Sequence, residues 1–374
     1  MKKIQMVDLH GQYLKIKDDI SAAIDGVLNE TAFIQGPQVK KFTTALERYT
    51  GSPHVIGCAN GTDALQIAMM ALNLQPGDEV IVPVHTYVAT AEVIALLKLN
   101  PVFVDVDPVN FNLDHKKLNA ALTAKTKAIV PVHLYGQCAP MEEILAFAGS
   151  HGLHVIEDTA QALGAVYTFS DGRKKQAGTM GIIGTTSFFP SKNLGCYGDG
   201  GALFTGDPEL AERIRIIANH GQRKKYYHEL VGVNSRLDTM QAAILEVKLR
   251  HLPEYESSRR EVADYYDRHL SGIPGLQTPV RMSYSSHVFH QYTLQVSRRD
   301  ELKAFLESKG IPTMIYYPVP LHFQEAYRRT ESGPGSFPVA ERLSESVISL
   351  PVHTEMDSET LEYICTCIRN FFHA

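Results

Sequence analysis

Cysteine is scarce in this sequence, and its number is odd. Cys58, Cys138, Cys196, Cys365 and Cys367 are the only five in 374 residues. That usage excludes a disulfide-built secreted scaffold and fits free thiols in a reducing compartment, so a cytoplasmic location is expected. The "CTC" near the C-terminus lacks the spacing and the second pair of a zinc site, and no metal is expected. Long apolar runs are also missing: no stretch reaches the roughly 18 residues that span a bilayer. The start, "MKKIQMVDLHGQYLKIKDDI", has two lysines but no apolar segment behind them, so it does not read as a signal peptide. A basic excess is lacking too. The formal net charge is −5, which argues against a nucleic-acid partner. Internal repeats and low-complexity segments are absent.

What remains is an ordinary globular balance, 44% hydrophobic and 21% charged. From about residue 55 to 205, short β-branched runs alternate with helical patterns. "EVIVPV", "NPVFVDVD", "KAIVPVHLYG" and "HVIED" read as strands. "ATAEVIALLKL" and "PMEEILAFAGSHG" read as helices between them. Continuous apolar strands separated by helices predict a mainly parallel sheet covered on both faces. Its chemistry should lie in loops beyond the strands' carboxyl ends. After Asn234 a long helix is predicted, opened by a Ser235–Asp238 capping signature and broken near Pro253. A strand, a helix, a "VISLPV" run and a closing amphipathic helix follow. The division predicted is a large α/β/α domain over 1–250, including an N-terminal helical segment, and a smaller α+β domain over 251–374.

Four separated stretches carry the candidate chemistry. In "CANGTDALQIAMMAL", Gly61 and Thr62 open an apolar helix, whose free amides and partial positive charge suit a phosphate. Alternatively, Asn60, Thr62 or Asp63 only caps the helix. In "PVHTYVATAEVI", Tyr87 follows a strand and could lie over a flat ligand, or could be a core tyrosine. In "HVIEDTAQALGA", Asp158 ends a strand, where a carboxylate needs a partner. It could hold a heteroaromatic nitrogen in its protonated form, with Gln161 on a ring oxygen, or it could cap a following helix. In "SFFPSKNLGCYGDGGAL", Ser187 leads a loop holding Lys192 between aromatics and glycines. A desolvated lysine amine is a nucleophile toward carbonyls. A solvated lysine at a turn is the bland alternative. Taken together, the four stretches offer a phosphate cradle, a stacking ring, a carboxylate for a pyridine nitrogen and a Schiff-base lysine. That set is what pyridoxal 5′-phosphate requires.

"NGTDAL", "EDTAQALGA", "SFFPSKNLG" with "GDGGA", and "GVNSRLDTMQAA" resemble the DegT/DnrJ/EryC1/StrS family of sugar-nucleotide aminotransferases over essentially the whole chain. The resemblance implies the fold-type-I, aspartate aminotransferase-like architecture and a homodimer with active sites at the subunit interface. It implies Lys192 as the Schiff-base lysine and Asp158 as the partner of the pyridine nitrogen. Gln161 would lie near the ring hydroxyl, Gly61, Thr62 and Ser187 on the phosphate, and Tyr87 on the ring. Asn234 would reach the phosphate of the other subunit's cofactor. Arg236 is a candidate for a substrate carboxylate, or it pairs with a nearby acid. Tyr317 and His322 match sugar-nucleotide contacts, and Tyr316 stands where many relatives have histidine.

"TDALQIAMMAL", "YVATAEV", "LYGQCAP" and "FFPSKNLGCYGDGGA" resemble the branch that transfers an amino group from L-glutamate, leaving 2-oxoglutarate, to a UDP-linked 3-oxo-2-acetamido-uronate for bacterial surface polysaccharides. A neutral 3-oxo or 4-oxo sugar on UDP or dTDP is the alternative substrate, and a non-catalytic cofactor-binding regulator the alternative class. Related dehydratases replace the lysine with histidine, so Lys192 argues against them. Cys196 matches no desulfurase motif.

Overall fold

The computed structural model describes residues 3–328 and 332–373. The alternation of strands and helices builds one seven-stranded sheet. Its strands are β1 (His54–Cys58), β2 (Glu79–Pro83), β3 (Asn100–Val104), β4 (Thr126–Ile129) and β5 (His154–Asp158). A separate hairpin, β6 (Val166–Thr168) and β7 (Lys174–Gln176), intervenes before β8 (Ile183–Ser187) and β9 (Gly201–Thr205) return to the sheet. The spatial order is β1-β9-β8-β5-β4-β2-β3, and β9 alone runs against its neighbours.

Helices α1 (Leu9–Lys15), α2 (Lys17–Glu30) and α3 (Pro37–Thr50) precede the sheet. Helices α4 (Gly61–Ala71), α5 (Ala89–Leu96), the single turn α6 (Leu118–Ala121) and α7 (Met141–His151) lie between its strands in sequence, and α8 (Pro208–Ala218) follows the last of them. In β2 the apolar run is buried on both faces. Val80 and Val82 join the core under α4, α5 and α8, while Ile81 joins the opposite core under α7. This is why the strand shows no polar alternation.

A small hairpin, β10 (Gln222–Lys224) and β11 (Tyr227–His228), leads toward α9 (Thr239–Leu270). Two expectations fail here. The long helix is not broken at Pro253, which lies inside its 32 residues. Proline removes one helical hydrogen bond there. Packing compensates, because Leu245, Leu249 and Leu252 are locked against α3 and the β8–β9 loop, and Val262, Ala263 and Tyr266 into a second core. The boundary placed near residue 250 therefore falls within one continuous helix. The capping signature also acts differently. Asp238 occupies the cap position without a side-chain cap bond. Ser235 is drawn away: its hydroxyl accepts from the Ala59 amide at 3.1 Å.

The second core gathers the end of α9, β12 (Leu276–Gln277), β13 (Tyr292–Val296), α10 (Arg299–Ser308), β14 (Val347–Leu350) and α12 (Ser358–His373), with α11 (Pro338–Ser346) between α10 and β14 in sequence. Cys365 and Cys367 are packed in this core.

Candidate active site

The carboxyl ends of β1, β2, β5 and β8 converge on a cavity of about 630 Å³. Beneath it, Glu157 anchors the end of β5. Its buried carboxylate accepts from the amides of Met180 and Gly181, both at 2.6 Å, of Gly178 at 2.9 Å, and from His133 Nε2 at 2.9 Å. His133 Nδ1 accepts from the Ala139 amide, so the ring's proton sits on Nε2. A fully buried charge is tolerable only with such a set of donors.

One residue on, Asp158 turns into the cavity. Its Oδ1 accepts from the Ala160 amide at 3.1 Å and its Oδ2 from the Thr90 hydroxyl at 2.8 Å. No helix follows it; residues 160–164 form turns, so the helix-cap alternative does not hold.

At the end of β1, Asn60 caps α4 by accepting from the Asp63 amide at 2.8 Å. Gly61 and Thr62, ahead of that bond, line the cavity. A Cβ on Gly61 would fall 2.7 Å from Ser187 Cβ, and one on Gly201 would fall 2.4 Å from the Asn60 carbonyl oxygen. The two glycines let the N-terminus of α4 press against β8 and β9, with Ser187 at its side. Part of the glycine cluster that follows Lys192 is thereby explained: it makes room for the cradle.

Lys192 lies in the β8–β9 loop, which is pinned on both sides. Its own amide donates to the Phe189 carbonyl at 2.8 Å, and the Asn193 side chain donates to the Val288 carbonyl at 3.0 Å. Burial lowers the Lys192 pKa to about 8, against the opposing pull of the Asp158 carboxylate. The neighbouring His290 is held neutral by burial and by the fields of Lys192 and Arg259. The sign of the lysine shift gives a direct expectation. Below pH 8 the amine is protonated and unreactive, so capture of pyridoxal phosphate by cofactor-free protein accelerates about tenfold per pH unit up to about 8, then levels. Stopped-flow absorbance reads this; a rate still climbing beyond pH 10 would mean an ordinary, solvated lysine.

Gln161 is held at both ends of its amide. Its Oε1 accepts from the Tyr135 amide at 2.8 Å, and its Nε2 donates to the Tyr317 hydroxyl at 3.0 Å. Tyr135 donates its hydroxyl to the Tyr316 carbonyl, and His85 Nε2 lies 3.2 Å from the same hydroxyl. Burial drops the His85 pKa to about 4, which keeps it neutral. Tyr87 is exposed at the cavity wall, its ring centroid 6.2 Å from that of Tyr317.

Eight residues predicted from sequence thus share one cavity: Gly61, Thr62, Tyr87, Asp158, Gln161, Ser187, Lys192 and Tyr317. Three do not. His322 is fully buried, with Nε2 3.2 Å from Glu341. Arg236 lies in a different cleft beside Lys40 and Arg215, and donates to the Asn219 side chain rather than to an acid. Asn234 is exposed and bridges to Asn219. Sequence reasoning missed Thr86, Thr90, His290 and Gln291. Their one visible signal was polarity inside apolar stretches, in "HTYVATAEVI" and "VFHQYTL".

Pyridoxal phosphate fits these residues. The Thr86 hydroxyl and His290 Nδ1 are buried without a hydrogen-bond partner, although both residues line the cavity. The glycine cradle leaves a backbone-lined notch at a helix N-terminus, where a phosphate is favoured.

Comparison with known proteins gives the family. The model of the DegT/DnrJ/EryC1/StrS aminotransferase family matches residues 14–369. The chain belongs to this family. It is 48% identical over 371 residues to a "pleiotropic regulatory protein" of Geobacillus stearothermophilus, covering 99% of this chain and 98% of that one. It is 47% identical over 367 residues to the UDP-2-acetamido-2-deoxy-3-oxo-D-glucuronate aminotransferase of Pseudomonas aeruginosa, covering 98% and 100%. A crystal structure of S. venezuelae DesV in complex with a ketimine intermediate superposes with a TM-score of 0.96 at 39% identity, covering both chains fully. The architecture is the fold-type-I one, and the family's cofactor is pyridoxal 5′-phosphate. The chain is a sugar-nucleotide aminotransferase.

Proposed function

We propose that this aminotransferase moves the amino group of L-glutamate to a UDP-linked 3-oxo-2-acetamido-uronate, supplying bacterial surface-polysaccharide synthesis in the cytoplasm. The observation that carries the reaction class is the convergence of Lys192 and Asp158 on one cavity beside a helix N-terminus. The similarity to the Pseudomonas aeruginosa enzyme supports the substrate.

When bound, pyridoxal phosphate supplies an electron sink next to the carbon that exchanges the amine. Gly61, Thr62 and Ser187 hold its phosphate, and Tyr87 offers a ring to its face. Asp158 holds a proton on the ring nitrogen. Lys192 would anchor the cofactor through its side-chain amine, which the donor leaves free. The released lysine amine, lowered to about 8, then takes the proton from the donor's α-carbon and returns one, as general base and then general acid. The two substrates use the same cavity in turn.

Charge supports a homodimer with shared sites. Among the described residues, the cavity lining holds three carboxylates, Asp63, Asp158 and Asp199, and one cation, Lys192. Yet the cofactor, glutamate and a sugar nucleotide are all anionic. Cations are concentrated instead between residues 223 and 236, outside the chain's own cavity: Arg223, Lys224, Lys225 and Arg236. In this reading, Asn234 and Arg236 complete the cavity of a second copy, with Arg236 on the uronate carboxylate.

The test is a panel of 3-oxo and 4-oxo sugar nucleotides offered with glutamate and read by mass spectrometry. Amination of the 3-oxo-uronate is expected. Arg236→Gln should lower kcat/KM for that substrate about 100-fold and far less for its neutral analogue, as expected when a buried charge loses its partner. Amination of neutral 4-oxo sugars alone would overturn the substrate and the role of Arg236. The regulatory name of the Geobacillus relative keeps a second reading in view: cofactor binding with no conversion by glutamate would favour it.

A further inference from the structure

Asp158 is held from two sides, and only one belongs to its own turn. The Ala160 amide, two residues on, takes Oδ1. The donor to Oδ2 is the Thr90 hydroxyl, 68 residues away in sequence. Thr90 lies in the first turn of α5 and is 0% exposed. It is the one buried polar side chain in that helix. A helical threonine commonly turns its hydroxyl back to the carbonyl one turn earlier. Here the hydroxyl goes to the carboxylate instead, at 2.8 Å. Its branched side chain is stiff about χ1, so the donor direction is set by the helix.

The carboxylate has competing neighbours. Lys192 comes from the β8–β9 loop and Tyr317 from the segment after α10, and both interact with it electrostatically. A carboxylate free to rotate would turn toward the lysine, the strongest charge in the cavity.

We propose that Thr90 is a positioning residue for the reaction. By donating to Oδ2 it stabilises negative charge on Asp158 and directs the carboxylate at the cofactor's ring nitrogen instead of at Lys192. This rests on the reading of Asp158 as the partner of that nitrogen. The Ala160 amide and the Thr90 hydroxyl act as two fixed points, so the carboxylate plane is set before the cofactor arrives.

The experiment loads the protein with pyridoxal phosphate labelled with ¹⁵N in the ring and reads the ring-nitrogen chemical shift, together with the cofactor's dissociation constant. In the unaltered protein the shift should be that of a protonated pyridine. Thr90→Val removes the hydroxyl at nearly constant volume. It should move the shift toward the unprotonated value and weaken cofactor binding roughly tenfold, the effect of one hydrogen bond to a charged group. Thr90→Ser restores the donor and should restore the shift. Thr90→Ala carries the same expectation as the valine variant if that one does not fold. Asp158→Asn separates the two layers of the argument. If it changes the shift while Thr90→Val and Thr90→Ala do not, the role of Thr90 is overturned and that of Asp158 stands. If neither position changes the shift, the reading of Asp158 falls, and the inference with it.

Discussion

Lys192→Ala is expected to stop transamination, with a loss of about 10⁴-fold or more in the half-reaction with glutamate. The loss combines two functions of one amine. Proton transfer by a positioned side chain contributes about 10²–10⁴-fold by itself. In the proposed mechanism the same amine is also the covalent anchor, and among the described residues no other cation lines the cavity to take its place. The visible absorbance of the lysine-bound cofactor should vanish along with activity. Single-turnover absorbance after mixing with glutamate measures both. Added methylamine should restore part of the proton transfer, because the pocket left by the side chain opens onto the cavity. Full turnover by the alanine variant would remove Lys192 from the mechanism altogether.

Asp158→Asn should be damaging in a different way. The amide keeps the shape and can still accept from Thr90, but it carries no negative charge to hold a proton on the ring nitrogen. Removing one preorganised electrostatic group of this kind costs about 10²–10³-fold in kcat. The expected signature is a fall in kcat with little change in the KM for glutamate, since in the proposed mechanism Asp158 serves the cofactor's ring nitrogen and not the donor. Initial rates over a range of glutamate concentrations decide it. A variant within tenfold of the parent would mean that the carboxylate is structural. Both side chains sit on rigid supports, Asp158 on the Glu157 platform and Lys192 in a loop pinned by Phe189 and Val288. Changes at either should therefore alter chemistry more than folding.

Sequence alone determined the parts of this protein that depend on neighbours in the chain. The main strand and helix positions over residues 55–205 follow from hydrophobic period, and β2, β3, β5, α5 and α7 lie where that period predicts. The lysine in its glycine-rich loop, the carboxylate at a strand end and the glycine at a helix start are also local patterns. Each position allowed a bland reading until the others were considered with it.

Tertiary structure decided the rest, because those features join residues far apart. Pro253 reads locally as a break, yet packing on both halves of α9 keeps the helix continuous. Ser235 reads locally as a cap, yet the Ala59 amide, 176 residues away in sequence, takes its hydroxyl. His322 matches a contact residue by position, yet burial against Glu341 leaves it outside the cavity. Thr90 reads as one more residue of an apolar helix, and only the approach of α5 to the end of β5 gives its hydroxyl a carboxylate. Hydrophobic period records which side of a segment is buried. It does not record which polar group, brought from elsewhere in the chain, will lie opposite.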